Sequence, residues 1–241
     1  MPSGRRYGDF AGGGLAGTCT EAGSSRYREA ILGDGPIAYW RLGEAPGAAT
    51  AIDELGGHPG TYQGAPSLGV SGLLPGDRDT AAAFDGIDDR LSAEINLPAG
   101  SFSLEALIRP VALPPAEASL FAMEPAGGSG FRFGVSPAGA LVLRVDPAGS
   151  GPVEVATSDG AIAAGGAHHV VATRSGTTVT IYVDGASAAQ ASAPIVSPLY
   201  GFTIGAANGW GYFAGIIDEP AVYPTALAPA QVGAHFAAAG L

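Results

Sequence analysis

Carboxylates are the residues of this sequence with the most chemistry to offer, because acids held close together can bind a divalent cation or move protons. Asp85-Gly86-Ile87-Asp88-Asp89 gathers three of them around a glycine. Calcium is a hard cation that takes about six to eight oxygen ligands from carboxylates, carbonyls and water. Asp85 and Asp88 are therefore candidate calcium ligands, joined by Asp53 and Asp218 if the fold brings them to the same sheet edge. Short acids beside a glycine also accept hydrogen bonds from turn amides, and the sequence alone leaves both readings open.

Proton transfer at a glycosidic bond needs two carboxyl groups flanking it. Glu105 stands alone between Leu104 and Ala106, and Glu154 stands alone between two valines. Asp218 and Glu219 are adjacent, and neighbours on a regular strand point to opposite faces. The acids thus predict no catalysis. His168 and His169 open an apolar run and would face opposite sides, which makes them poor partners for one metal and predicts that one is buried. His58 and His235 are isolated, and the sequence holds no phosphate-binding loop, nucleophile elbow or cysteine–histidine constellation. Cys19 is the only cysteine, so an intrachain disulfide is impossible.

Aromatic side chains able to stack on a ligand cluster at Tyr200, Phe202, Trp210, Tyr212 and Phe213. Core packing accounts for Phe202 and Phe213. Trp210 lies between Gly209 and Gly211, where a flat amphipathic ring is useful at an interface. Trp210, Tyr212 and Tyr200 are the candidate ligand-binding residues.

The elements that must position these groups are strands. The chain of 241 residues has 39 glycines and 19 prolines, with 46% apolar and 14% charged residues. That balance supplies a core and favours short strands joined by tight turns. Apolar or alternating runs bounded by turn residues extend from Ile37-Ala38-Tyr39-Trp40-Arg41-Leu42 to 211–223 and predict a two-sheet sandwich, each sheet burying one face. Val183-Asp184-Gly185-Ala186 and Arg174-Ser175-Gly176-Thr177 read as hairpin turns. A short helix is expected over 25–32 and another over 227–239, the latter with Val232 and Phe236 at helical spacing.

Residues 1–25 lack either period and are rich in Gly, Ser and Thr, which separates an N-terminal arm from a domain over 26–241. Tyr7, Phe10 and Leu15 interrupt its glycines and are candidate docking anchors for a partner. Arg5-Arg6 is followed by a polar, glycine-rich stretch instead of the apolar segment of an export signal. No run approaches the roughly 18 apolar residues of a membrane span, so no membrane insertion is expected. All 11 basic residues are arginines, and the net charge of -11 opposes nucleic-acid binding.

The order of several segments resembles the laminin-G-like domains of bacterial and phage proteins, within the concanavalin A-like lectin/glucanase superfamily. They are Ala38-Tyr39-Trp40-Arg41-Leu42-Gly43-Glu44, then 56–62, Ala83-Phe84-Asp85-Gly86, 101–110, His168-His169-Val170-Val171-Ala172, Ile181-Tyr182-Val183-Asp184-Gly185, and Gly215-Ile216-Ile217-Asp218-Glu219 with Val222-Tyr223. The resemblance implies an all-β, antiparallel jelly-roll sandwich with a short C-terminal helix. It often goes with calcium. Two family tryptophans are replaced, by Ala167 before the His pair and by Leu107 in the strand of Glu105, which removes two stacking surfaces. The glucanases of this fold carry their acids as Glu-x-Asp-x-x-Glu on one strand, and this sequence has no such strand.

A non-catalytic binding or structural module is the resulting expectation. Its first form is a phage virion protein, a capsid decoration or minor tail protein on the virion surface. The arm would dock on a capsid or tail protein, and the domain would meet a cell-surface glycan. Its alternative is a free, extracellular carbohydrate-binding lectin, and a glycan hydrolase ranks last for want of paired acids. Self-association into a homo-oligomer is compatible with either form.

Overall fold

The computed structural model describes residues 25–123, 130–147, 149–196, 201–207, 209 and 211–241. The chain opens with α1 (Arg26–Gly33), followed by β1 (Ala38–Tyr39), β2 (Thr50–Ala51), β3 (Gly60–Gln63), β4 (Ser67–Ser71), β5 (Thr80–Asp85) and β6 (Arg90–Ala93). Next come β7 (Ser101–Pro110), β8 (Ala118–Met123), β9 (Gly130–Val135), β10 (Leu141–Asp146) and β11 (Val153–Ala156). The last third holds β12 (His168–Ser175), β13 (Thr178–Val183), β14 (Ala186–Ser192), β15 (Phe202–Ile204), β16 (Ala214–Tyr223) and α2 (Pro229–Ala239).

These strands form two antiparallel sheets. The first runs β14-β13-β12-β7-β16-β5-β4 with β1 added to β16, and the second runs β11-β10-β9-β8-β15-β6-β3-β2. Alternation along each strand sends every second side chain between the sheets. On β7 these are Phe102, Leu104, Ala106 and Ile108; on the second sheet they include Tyr62, Leu91, Phe121, Phe133, Leu143 and Phe202. Full burial of one such large side chain stabilises by roughly 1.5–3 kcal/mol. Trp40 closes the core against Phe202 at 6.1 Å and satisfies its indole N–H on the His58 carbonyl at 2.9 Å. This is the jelly-roll sandwich that the sequence predicts.

One difference is a third layer. Each sheet was expected to turn its second face outward, but the outer face of the first sheet is covered by both helices. Tyr27 and Ile31 of α1 and Val232 and Ala239 of α2 bury against Tyr39, Leu107, Val171 and Tyr223. Ser25 caps α1 by accepting the Arg28 N–H at 3.0 Å, and Pro229 starts α2 where a missing N–H costs nothing. The helix buries Val232 and His235, while Phe236 is half-buried against Gly185. The hairpin expected at Asp184-Gly185 is present, with φ of 50° and 77°, the left-handed pair of a type I′ turn.

Candidate binding face

With the first sheet covered by helices, the outer face of the second sheet is the sandwich's open face toward its two ends, exposed at Thr50, Thr61 and Glu154 and half-buried at Ser92, Thr203 and Arg144, whereas its centre is buried at Ala122 and Arg132. Register partners line up across its whole width: Thr50 with Thr61, Thr61 with Ser92, Ser92 with Thr203, Thr203 with Ala122, Ala122 with Arg132, Arg132 with Arg144, and Arg144 with Glu154. The neighbouring row, Tyr62, Leu91, Ile204, Phe121, Phe133, Leu143 and Val155, lies in the core, so the polar row must point away from it. Adjacent strands lie about 4.8 Å apart, which makes this row roughly 34 Å long. One half offers hydroxyls and short side chains, and the other half offers charge.

The charged half is internally paired. Arg144 reaches Glu154 at 3.0 Å and Asp146 at 3.3 Å, and Arg132 lies 3.5 Å from Glu117 and 3.8 Å from Asp146. Burial raises the Glu117 carboxyl above its ordinary range, and its Oε1 and the Ser119 hydroxyl are buried without a hydrogen-bond partner among the described residues. At the rim, Arg90 donates to Gln63 at 2.5 Å and to the Tyr212 hydroxyl at 3.4 Å. Guanidinium–carboxylate pairs beside hydroxyls present fixed donors and acceptors to a polyhydroxylated ligand.

Of the residues singled out in the sequence, Tyr212 is half-buried at this rim. Trp210 and Tyr200 lie outside the described residues, as do Tyr7, Phe10 and Leu15 of the arm. Phe202 and Phe213 are core residues, each 1% exposed, as expected.

The acids fall into three places. Asp85, Asp88 and Asp89 bring one oxygen each within 4.8 Å of one another, and among the described residues no other three acids, histidines or cysteines do so. Two of these acids are exposed, as a water-rich cation site requires. The Asp85 Oδ1 accepts the Ile87 N–H at 2.8 Å, and the Asp89 Oδ2 accepts the Asp85 N–H at 2.9 Å, so both the turn-bonding role and three converging carboxylates are present. Asp53 sits elsewhere, accepting four backbone N–H groups, from Tyr39, Leu55, Gly57 and His58. Asp218 is buried at 2% exposure, with Oδ2 on the Leu73 N–H at 2.7 Å.

Asp218 and Glu219 depart from the expected opposite orientation. The β16–β7 register shifts between Asp218 and Ala221, and Glu219 adopts a left-handed φ of 55°. This bulge turns both carboxyls to the helix-covered side. Arg41 pairs there with Glu219 at 2.6 Å, Asp77 at 2.7 Å and Asp79 at 3.0 Å, and the Tyr39 hydroxyl donates to Glu219. Burial, opposed in part by Arg41, pushes the Glu219 carboxyl up to about 7. At 1% and 2% exposure, the pair is sealed from any substrate.

Glu105 was read as a lone acid and His235 as an isolated histidine. In the fold Glu105 accepts from the Tyr27 hydroxyl at 2.9 Å and the Tyr223 hydroxyl at 3.1 Å, and meets His169 at 2.7 Å and His235 at 3.0 Å. His169 is the fully buried member of the His168–His169 pair, as expected of one of them. His58 meets the Glu94 carbonyl at 2.6 Å through Nδ1.

Two antiparallel sheets packed face to face, one of them covered by helices on its outer side, define a lectin-type jelly-roll fold. The chain belongs to the concanavalin A-like lectin/glucanases superfamily, matching its laminin-G family profile over residues 85–233. No curated protein matches the chain. Among solved structures, it is similar to Trypanosoma rangeli sialidase at 14% identity and TM-score 0.62, covering 84% of this chain and 32% of the sialidase. The chain thus spans about a third of that enzyme. Domain 4 of AbnA, an extracellular arabinanase of Geobacillus stearothermophilus solved with arabinotriose, is 18% identical at TM-score 0.60, covering 83% of this chain and 97% of that domain. The binding domain of Paraclostridial mosquitocidal protein 1 is 14% identical at TM-score 0.67, covering 85% of this chain and 52% of that one. At these identities the likeness establishes the fold alone.

Proposed function

We propose that this chain is a non-catalytic carbohydrate-binding module that lays a glycan along the open face of its second sheet. The observation that carries the reading is the aligned row from Thr50 through Thr61, Ser92 and Thr203 to Arg132, Arg144 and Glu154, polar except at Ala122 and accessible except at Ala122 and Arg132. The arabinotriose in the similar arabinanase domain supports the ligand class. The absence of catalysis belongs to the same reading, because the adjacent acids Asp218 and Glu219 are walled off from solvent. Calcium bound by Asp85, Asp88 and Asp89 would brace the turn between β5 and β6 beside that face.

The finer reading places the module on a phage virion, with Tyr7, Phe10 and Leu15 of the arm docking on a capsid or tail protein. Its support is compositional, three apolar anchors in a glycine-rich segment. A glycan array comparing wild type with Ser92→Glu, which puts bulk and charge into the hydroxyl-bearing half of the row, tests the central reading. Signal lost in the variant supports it; equal signal in both proteins, or none in either, defeats it.

A further inference from the structure

Beside the β2 edge of the second sheet, a cleft of about 470 Å³ opens between α1, the segment after β1 and the approach to β5, lined by Arg28, Arg41, Glu44, Ile52, Glu54 and Asp79. Its two cations are already engaged. Arg28 pairs with Glu54 at 2.6 Å, and Arg41 is shared among Asp77, Asp79 and Glu219. Glu44 accepts the Ile52 N–H at 2.8 Å and the Tyr62 hydroxyl at 2.7 Å, and carboxylate oxygens with one partner keep lone pairs for another.

Behind this wall lies Asp218, 2% exposed, whose Oδ1 has no hydrogen-bond partner among the described residues. Burial, reinforced by the neighbouring Glu219 and Asp79, raises its carboxyl well above the ordinary range. The cleft and its backing therefore set four carboxyl groups, on Glu44, Glu54, Asp77 and Asp79, against two guanidinium groups, while burial disfavours the charged forms of Asp218 and Glu219. Low-dielectric walls focus such an imbalance into the opening. An anion is disfavoured because neither arginine is free to meet it. A metal ion is disfavoured because no three of these acids bring their oxygens within 4.8 Å of one another, as the Asp85 turn does. At the mouth, Ile52 is 63% exposed and offers an apolar contact, which suits a charged group carried on a short carbon stem.

We propose that this cleft is a second binding site, separate from the open face, that receives a guanidinium or ammonium group. Such a group takes the unused lone pairs of Glu44 and Asp79 as charge-assisted hydrogen bonds while its stem lies on Ile52.

Calorimetric titration of the full chain with methylguanidinium and with its neutral isostere methylurea tests this. Methylguanidinium should bind, at least tenfold more tightly than methylurea, and more weakly as salt rises. Ile52→Arg, an exposed substitution that places a tethered cation at the mouth, should weaken methylguanidinium binding at least tenfold with an unchanged circular-dichroism spectrum, and Glu44→Gln should weaken it too. A capped arginine dipeptide and spermidine then separate a protein side chain from a free polyamine as the source. Equal binding of the two isosteres, no heat with either, binding unaffected by Ile52→Arg, or displacement of the cation by calcium at equimolar concentration would overturn the proposal.

Discussion

The Nδ1 of His235, on the C-terminal helix, lies 3.0 Å from the Oε2 of Glu105, at the centre of the first sheet, with both residues at most 1% exposed. Its other ring nitrogen reaches Asp34 at the end of α1, also at 3.0 Å. One imidazole thus ties both helices to the sheet.

This tie makes stability depend on pH at both ends of the range. Burial alone would raise the Glu105 carboxyl, but hydrogen bonds and charge from His169 and His235 outweigh it and hold the group at about 2. Its stabilisation, on the order of 3 kcal/mol, is present above the ordinary carboxylate range and disappears as pH falls toward 2. Burial lowers the His235 pKa, while Glu105 and Asp34 more than compensate and leave it raised. Its contribution is complete below its ordinary value near 6.5 and is lost as pH rises through the elevated one. Urea denaturation of His235→Ala should show a loss of about 3 kcal/mol at pH 6, and a smaller loss at pH 9.

The Asp218–Glu219 bulge acts in the opposite sense to Glu105. Both carboxyls are raised by burial, so the folded chain holds protons that the unfolded chain has released, and stability falls as pH climbs from the ordinary carboxylate range through about 7 for Glu219. Asp218→Asn keeps an acceptor for the Leu73 N–H and removes the charge. It should raise the denaturation midpoint at pH 8, by about 1 kcal/mol, and change little at pH 4.

Gly134 is buried where β8 and β9 meet, and a Cβ there would lie 2.0 Å from the Ala118 carbonyl oxygen. Backbone cannot yield as a side chain does. Gly134→Ala should therefore cost about 3 kcal/mol or more and lower the melting temperature, whereas the exposed Thr61→Ala should cost less than about 0.5 kcal/mol.

Calcium should raise the melting temperature through Asp85, Asp88 and Asp89. The same titration on Asp88→Asn should give a smaller shift, because Asp88 is an exposed member of the trio and its loss leaves the fold intact. Thermal curves that coincide with and without calcium would count against the site.

Much of the fold was legible because its strands carry the two-residue period between turn residues; the turns read at 174–177 and 183–186 join β12 to β13 and β13 to β14. β2, β3 and β4 were not anticipated. They are two, four and five residues long, too short and glycine-rich to show alternation. The bulge at Glu219 had one sequence signal, the following Pro220, since proline inside a strand marks an edge or a bulge. Glu105 and His235 are 130 residues apart, and no local pattern announces a contact made only by docking a helix on a sheet. The polar row of the open face was hidden for the same reason: its members come from eight strands, one residue from each, and only register aligns them.

The account rests most heavily on that row, and amide shift perturbation of isotopically labelled protein by an array-positive glycan tests it most directly. The expected result is a contiguous set of shifts at Thr61, Ser92, Thr203, Arg132 and Arg144, abolished by Ser92→Glu. Shifts confined to the helix-covered face, or none at saturating glycan, would contradict it.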